Sequence, residues 1–480
     1  MSAVADGVRS FHESEDAVLL RQRQRRRYFY ATLARLVAAR VPAGSSVLDV
    51  GCGGGDLLRA LAPSRGVGID LSAKAIARAR AQAGGANLHF FEGDGSDPAL
   101  LERIGGPFDT IVLVNVVAQL EDIQACFESL ARVCHARTRL LVYSYSRLWQ
   151  PILRVGEWLG LKHKAPDESW LPPEEVRNML ELADFEMVLS DRAMVMPIGV
   201  PLVSDLLNRY VGRLPILTHL SLMYGLIARP APHRFVGART RSPSVSVIIP
   251  CRNEAGHIAP LVERLPRLPP NSEFLFVEGN STDDTEAVIR AAIAAHPERP
   301  LRFLKQTGRG KGDAVRLGFQ EARGELLLIL DSDMGVAPED VAKFVLALVR
   351  GKGELINGSR LVYPMEGRAM RFLNLVANKF FALLFSWLLG QQVRDTLCGT
   401  KALYRADYER IAANRAFFGD FDPFGDFDLL FGAARLNLRI VDLAVRYHER
   451  RYGETNISRF RHGLLLLRMS LFAARKLKFV

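Results

Sequence analysis

The feature that most constrains this chain is an alternation of short apolar runs with helix-like segments, which stops and then starts afresh. In the first half the apolar runs are SSVLDVG, GVGID, LHFFEGD, DTIVLVNVV and RLLVYSYS, with DLLRALAP and SAKAIARARAQA among the segments between them. In the second half they are VSVIIP, EFLFVEG, LRFLKQ and ELLLILDSD. Near-continuous Val, Ile and Leu in strands alternating with helices predicts a mostly parallel sheet covered on both faces. The break between the halves, RPAPHRFVGARTRSPS, is rich in Pro, Arg and Ser and reads as a linker. The fold class is therefore α/β, as two doubly wound domains over residues 1–230 and 245–458. Residues 231–244 form the linker, and 459–480 read as an amphipathic C-terminal helix. A length of 480 residues accommodates this, at about 150 residues per domain.

The net charge of +11 points to an acidic partner, whether nucleic acid, an anionic membrane or a phosphate-bearing substrate. Nucleic acid is set aside, because the basic residues are not interleaved with aromatics on a recognisable nucleic-acid fold. The five cysteines are an odd number without a CxxC pair, which argues against zinc and against a secreted disulfide framework. With no basic leader and apolar run at the N-terminus, the expected compartment is the reducing cytoplasm. FFALLFSWLLG and GLLLLRMSLFAARKLKFV are apolar but interrupted or flanked by Lys and Arg. They are too short to cross a bilayer and suit either a buried core or a membrane interface.

In doubly wound sheets ligands lie beyond the carboxyl ends of the strands. The first such end carries VLDVGCGGGD, a strand, a glycine turn with Gly51, Gly53 and Gly55, and a helix start. Glycine is needed where backbone must adopt positive φ and let a ligand approach. About twenty residues on, Asp70 ends a strand at the separation from which a carboxylate accepts from ribose hydroxyls. EGDGSD follows the next strand.

In the second half, GRGKG (Gly308 to Gly312) precedes a helix. Glycine for close approach, with Arg309 or Lys311 for charge, suits a diphosphate. LLLILDSDMG puts Asp331 and Asp333 at a strand end, with Gly335 turning the chain. Residues i and i+2 of a strand project to one side. The pair can therefore hold a hard divalent cation together with phosphate oxygens, or simply cap a helix.

The first half resembles the Rossmann-fold S-adenosylmethionine-dependent methyltransferases, closely over Ala43 to Tyr145 and extendably to Pro230. The resemblance implies that Gly51, Gly53 and Gly55 shape the turn around the methionine part of the cofactor, with Asp49 nearby. It also implies that Asp70 holds the ribose, that Asp94 and Gly95 border the adenine, and that Asn115 and Gln119 face the methyl acceptor. DFEMVLSDR and SLMYGLIARP look like the closing antiparallel pair of that fold. Many relatives place a histidine where this chain has VVAQLED, so the acceptor is not readable.

The second half, Ser244 to Ser458, resembles family 2 glycosyltransferases of the GT-A fold, and among them the dolichyl-phosphate mannose synthase-like enzymes that use polyprenyl phosphates. The resemblance implies a nucleotide pocket containing Pro250, Asn253, Glu254, Glu278, Ser281, Arg309, Lys311 and Asp331. It makes Asp331 and Asp333 the metal-binding DxD for Mg²⁺ or Mn²⁺. Glu278 and Gly279 stand where relatives have two aspartates, which leaves the donor base open. Arg360, Arg371, Arg394, Arg450 and Arg451 match arginines that grip an acceptor phosphate, with Arg450 in R-x-x-G-x-T the best match. An acceptor phosphate is already anionic and needs no general base. For a hydroxyl acceptor, Asp426 or Asp428 is the candidate base, with helix capping the alternative role.

The expected protein is thus bifunctional and peripheral to the inner face of a membrane. It moves a sugar from a nucleotide-diphosphate donor to a polyprenyl phosphate or related lipid, and a methyltransferase acts on an unidentified acceptor. The alternative is a transferase that extends a polysaccharide hydroxyl, with the first half only a cofactor-binding or scaffolding module.

Overall fold

The central apolar runs of both halves become strands that bury side chains on two faces at once, as a sheet sandwiched by helices permits. The edge strands formed by LHFFE and LRFLK are only partly buried. The computed structural model describes residues 26–85, 87–158, 170–215, 217–238, 242–363, 372–415, 427–448, 452 and 459–479, with positions 7, 10, 21 and 24. It divides into two units: 1–235 with 478–480, and 236–477. The division falls inside the Pro- and Arg-rich 231–244 stretch.

In the first unit, β1 (Ser46–Val50), β2 (Arg65–Asp70), β3 (Leu88–Glu92), β4 (Phe108–Val114), β5 (Cys134–Tyr145), β6 (Phe185–Ala193) and β7 (Met223–Pro230) form one sheet. Its order is β3-β2-β1-β4-β5-β7-β6. β7 alone runs antiparallel, between β5 and β6, so the closing antiparallel pair expected from the sequence is present. Leu48, Ile111, Phe127 and Leu140 pack on one side of the sheet, and Val47, Val112, Leu141 and Tyr143 on the other.

In the second unit, β8 (Val245–Cys251), β9 (Glu273–Glu278), β10 (Leu301–Lys305), β11 (Leu326–Ile329), β12 (Leu355–Ser359), β13 (Lys401–Tyr404) and β14 (Ile440–Ala444) follow the order β10-β9-β8-β11-β13-β12-β14. β8 to β11 are parallel, and β13 is antiparallel to both β11 and β12. Strand order reverses at β1/β4 in the first sheet and at β8/β11 in the second. At such reversals a crevice opens at the carboxyl ends.

The sequence predicts one amphipathic helix over 459–480. A helix does span Arg459–Ala473, with Leu466, Met469 and Ala473 buried and Leu464 and Leu471 exposed. No helix among the described residues is long and apolar enough to cross a membrane.

Lys478 and Phe479 then belong to the first unit. Arg209 Nε donates to the Phe479 carbonyl at 2.8 Å, and the Tyr210 and Phe479 rings lie 5.2 Å apart. Lys478 is buried beside Asp191, Arg40 and Arg213. Burial pushes its ammonium down from an ordinary value of 10.5 to about 8, against the pull of Asp191. Between those values the unfolded chain binds more protons than the folded one, so stability rises with pH across that window. Below it the buried ammonium is a full cost. Lys478→Met is therefore expected to raise the unfolding free energy at pH 7 by about 1–3 kcal/mol. The gain should shrink in denaturant titrations carried from pH 8 towards 10.5.

Candidate functional sites

The carboxyl end of the first sheet is built around the glycine turn. Gly51 and Gly53 have φ of 75° and 53°, in the left-handed region that glycine enters without strain. A Cβ on Gly51 would also run into the Val116 side chain. Asp70 closes the turn: its Oδ2 accepts from the Gly53 N–H at 2.8 Å and its Oδ1 from the Ser72 N–H at 2.9 Å. Two backbone donors thus hold one carboxylate between the turn and the end of β2.

Asp49 is buried in β1. Asp94 follows β3, with its Oδ1 accepting from the Ser96 N–H at 2.8 Å, and Gly95 is packed so closely on Val50 that a Cβ would not fit. At the end of β4, Asn115 is itself left-handed, with φ of 57°. Its Oδ1 is buried with no hydrogen-bond partner among the described residues. A buried orphan acceptor costs stability unless a ligand donates to it, which fits a cofactor in this crevice. Asp49, Gly51, Gly53, Gly55, Asp70, Asp94 and Gly95 all lie at this one sheet end. Gln119 ends a short 3₁₀ turn after β4.

At the carboxyl end of the second sheet, two turns are stapled together. The Asn253 N–H donates to Ser281 Oγ (3.0 Å), the Thr282 N–H to Asn253 Oδ1 (2.8 Å), and the Glu254 N–H to Thr285 Oγ1 (2.9 Å). Glu278 is buried, and its Oε1 accepts from the Ser281 N–H at 2.5 Å. Glu254 turns inward, with Oε2 at 2.6 Å from His257 Nδ1 and both residues buried. Its carboxylate therefore anchors the helix Ala255–Arg264, whereas its backbone borders the turn.

The acidic pair departs from its expected geometry. β11 ends at Ile329, so Asp331 and Asp333 stand in the following turn and strand periodicity does not orient them. The left-handed residue of that turn is Met334 (φ 53°), not Gly335. Gly335 instead leaves room for the Tyr447 ring. Ser332 Oγ donates to the Pro250 carbonyl at 2.9 Å and ties the turn to β8.

Asp331 Oδ1 meets Lys311 Nζ at 2.6 Å, with each side chain about a third exposed or less. Burial alone would push the Asp331 carboxyl up. Lys311, with Arg360 and Lys401 adding to it, outweighs burial and holds it below the ordinary range. Gly399 leaves room for the pair, since a Cβ there would clash with both Lys311 Nζ and Asp331 Oδ2 and one or both side chains would have to shift. Asp333 Oδ1 accepts from the Gly335 N–H at 3.0 Å. Among the described residues no group of three or more His, Cys, Asp or Glu gathers to hold a metal ion. Arg309 is exposed at the start of the same loop.

The arginines divide. Arg360 donates from Nε and Nη2 to both oxygens of buried Asp395, at 2.7 and 3.0 Å, and lies over the Tyr447 ring at 4.9 Å. Despite burial, Asp395 holds the guanidinium well above its ordinary range, and Asp395 itself is held at about 2. The fork expected to grip a phosphate is thus engaged by a carboxylate. Arg394 is exposed, and its N–H donates to Asp442 Oδ2 at 2.7 Å. Arg371, Arg450, Arg451 and Asp426 lie outside the described residues.

Asp428 sits in the first turn of the helix Phe427–Arg435 and accepts from Arg316 Nη1 (3.4 Å) and Arg415 Nε (3.2 Å). Two cations on one carboxylate suit an anchor better than a base. Gly399 and Asp442 were not anticipated. Only the clustering of VRDTLCGTK around a Gly signals the first, and nothing local signals the second.

A glycine turn closed by Asp70 at the end of one sheet and a lysine-paired aspartate turn at the end of the other belong to two α/β domains in one chain. Residues 246–411 match the family described as glycosyl transferase family 2, and residues 21–190 match a methyltransferase domain. Over 232 residues the chain is 30% identical to the dolichyl-phosphate beta-glucosyltransferase of Drosophila melanogaster, covering 43% of this chain and 68% of that protein. It is 28% identical over 218 residues to the polyprenol monophosphomannose synthase of Mycolicibacterium smegmatis, covering 44% and 80%. It is 26% identical over 236 residues to glycosyltransferase AglD of Haloferax volcanii, covering 48% of this chain and 37% of AglD's length. The chain belongs to glycosyl transferase family 2 and carries a methyltransferase domain ahead of the glycosyltransferase domain.

Proposed function

We propose that the second domain transfers a sugar from a nucleotide-diphosphate donor to the phosphate of a polyprenyl phosphate at a cytoplasmic membrane face, and that the first binds S-adenosylmethionine and methylates a separate acceptor. The observation that carries the glycosyl transfer is the Asp331 carboxylate, kept anionic by Lys311 against Gly399 beyond β11. The names of the Drosophila and Mycolicibacterium relatives support the lipid phosphate.

In this reading Asp331 and Asp333 would be the carboxylates that hold a hard divalent cation, which would take its remaining ligands from the donor's phosphate oxygens. Bound there, Mg²⁺ or Mn²⁺ would neutralise charge on the departing diphosphate. The stapled turns with Asn253, Ser281 and Glu278 border the nucleoside, and Lys311 and Arg309 lie where the diphosphate charge falls. An acceptor phosphate oxygen forms the new bond to the anomeric carbon as the bond to the diphosphate oxygen breaks. The electron pair leaves with the diphosphate, and no proton has to be removed. A single displacement inverts the anomeric centre. Exposed Arg394, with Arg371, Arg450 and Arg451, is assigned to the acceptor phosphate. The pairing of Asp428 with Arg316 and Arg415 speaks against one of the two candidate bases that a hydroxyl acceptor would need.

The test is organic-soluble labelled product from polyprenyl phosphate and a nucleotide sugar. The donor is first found as the one whose Mg²⁺- or Mn²⁺-dependent binding raises the unfolding temperature. Transfer to saccharide, with none to the lipid phosphate, would overturn the reading. For the first domain, Asp70→Ala is expected to weaken S-adenosylmethionine binding by about tenfold or more in titration calorimetry on the full chain. It removes the carboxylate that joins Gly53 to β2 and accepts from the ribose. No heat from the wild-type chain would reduce this domain to a scaffold.

A further inference from the structure

Two segments of the first domain turn apolar side chains outward, and neither was read as a surface from the sequence. The helix Gln150–Trp158 buries none of its residues. Leu148, Ile152, Val155 and Trp158, spaced three and four apart so that they share one helical face, are all exposed, Trp158 at 85%. The β6–β7 connection exposes Ile198, Leu202, Val203 and Leu206, with Leu202 at 87%.

This connection is not a loose loop. Buried Ser204 accepts from the Val200 N–H at 2.7 Å, and buried Asn208 accepts from the Val195 and Met196 N–H groups at 2.8 Å each. Leu202 itself is left-handed, with φ of 62°, a strained conformation for a leucine. The scaffold holds these side chains away from the core.

Their position gives them a use. β5 and β6 are each antiparallel to β7 and so run in the same direction. The helix after β5 and the connection after β6 therefore lie at the sheet end that carries the glycine turn, Asp70 and Asn115. Arg154 lies within the first of these segments and Arg147 in the turn before it. The run RQRQRRR places five arginines within residues 21–27, immediately before Tyr28. Tyr28 Oη donates to Asp205 Oδ1 at 3.0 Å and accepts from Asn208 Nδ2 at 3.1 Å, which fastens the start of the helix Arg27–Ala38 to the apolar connection. Arg21, Arg27, Arg147 and Arg154 are exposed. Apolar side chains that reach past a basic rim match the acyl boundary and anionic headgroups of a bilayer.

We propose that this face of the methyltransferase domain docks on an anionic lipid bilayer, so that the methyl acceptor is a lipid-borne group presented at the membrane surface. The acceptor part rests on the reading that this sheet end binds S-adenosylmethionine; the docking part does not.

The test is sedimentation of the full chain with sucrose-loaded vesicles of phosphatidylcholine, with and without phosphatidylglycerol. Wild-type protein is expected to prefer the anionic vesicles. Leu202→Asp combined with Ile152→Asp is expected to lower that binding about tenfold or more while the S-adenosylmethionine heat is retained. Leu464→Asp with Leu471→Asp, on the C-terminal helix, serves as the comparison. In wild-type protein, brominated acyl chains should quench a tryptophan component that is lost in Trp158→Phe, a measurement that does not depend on the aspartate variants folding. The proposal is overturned if the first pair binds like wild type. It is also overturned if only the C-terminal pair loses binding, or if the aspartates instead dissociate a dimer of the chain that never bound vesicles. Absent heat with intact vesicle binding would sink the cofactor reading alone.

Discussion

Asp331→Asn is expected to cost sugar transfer about 10²–10³-fold in kcat while leaving the protein folded. The substitution keeps the shape of the side chain and removes its charge. That charge is actively maintained: Lys311 Nζ sits 2.6 Å from Oδ1, and the carboxyl is held below its ordinary range although burial works against it. Without it, the proposed divalent cation would lose an anionic ligand and Lys311 would be left facing the diphosphate alone.

Lys311→Met separates the two contributions. If Lys311 serves mainly to position Asp331, kcat should fall while the donor KM is unchanged. If it also holds the diphosphate, the donor KM should rise and stay high at every pH. Gly399→Ala should behave like a partial loss of both, because its Cβ would clash with Lys311 Nζ and Asp331 Oδ2. Near wild-type turnover in Asp331→Asn, measured as organic-soluble product with excess Mn²⁺, would remove the centre of the proposed mechanism.

The parts of this site that were legible in the sequence are those whose geometry is local. A buried strand followed within a residue or two by Gly or Asp announces itself, and Asp70 lies close enough to the glycine turn that Gly53 can donate to it directly. What escaped depends on partners brought together by the fold. Arg360 reads as a phosphate grip until Asp395, in another loop, takes its fork. Asp428 reads as a base until Arg316 and Arg415 close on it. The i, i+2 argument for Asp331 and Asp333 failed because β11 stops at Ile329, and a turn obeys no two-residue period. The apolar spacing of QPILRVGEW is the pattern of a core-facing helix. Nothing in the pattern itself says that the face is turned to solvent.

Asp191→Ala is expected to destabilise the first domain by about 3–5 kcal/mol, the range for breaking a buried ion pair and stranding its partners. Asp191 is buried in β6, and its carboxylate accepts from Arg40 Nη2 at 2.9 Å and Arg213 Nη1 at 3.1 Å, with Lys478 beside it. Burial would push its carboxyl up, but Arg40, Arg213 and Lys478 together hold it well below the carboxylate range. A depressed value means that this stabilisation is complete above the unfolded carboxyl's pKa of about 4 and declines as pH falls below it.

Removing the acid leaves three buried cations facing one another. Asp184→Asn, which suits the left-handed backbone there (φ 60°) and weakens only the exposed contacts to His233 and Arg234, should cost less than about 1 kcal/mol. A urea titration that follows the first unfolding transition distinguishes the two, and equal effects would show that the cluster is not what holds this end of the domain. The consequence reaches the surface as well. Arg213 lies in the connection that carries Leu202, and its Nη1 also donates to the Arg192 carbonyl at 2.8 Å. The same carboxylate that balances the buried charge therefore pins the apolar connection to the sheet. Loosening it should weaken vesicle binding at temperatures where the domain is still folded.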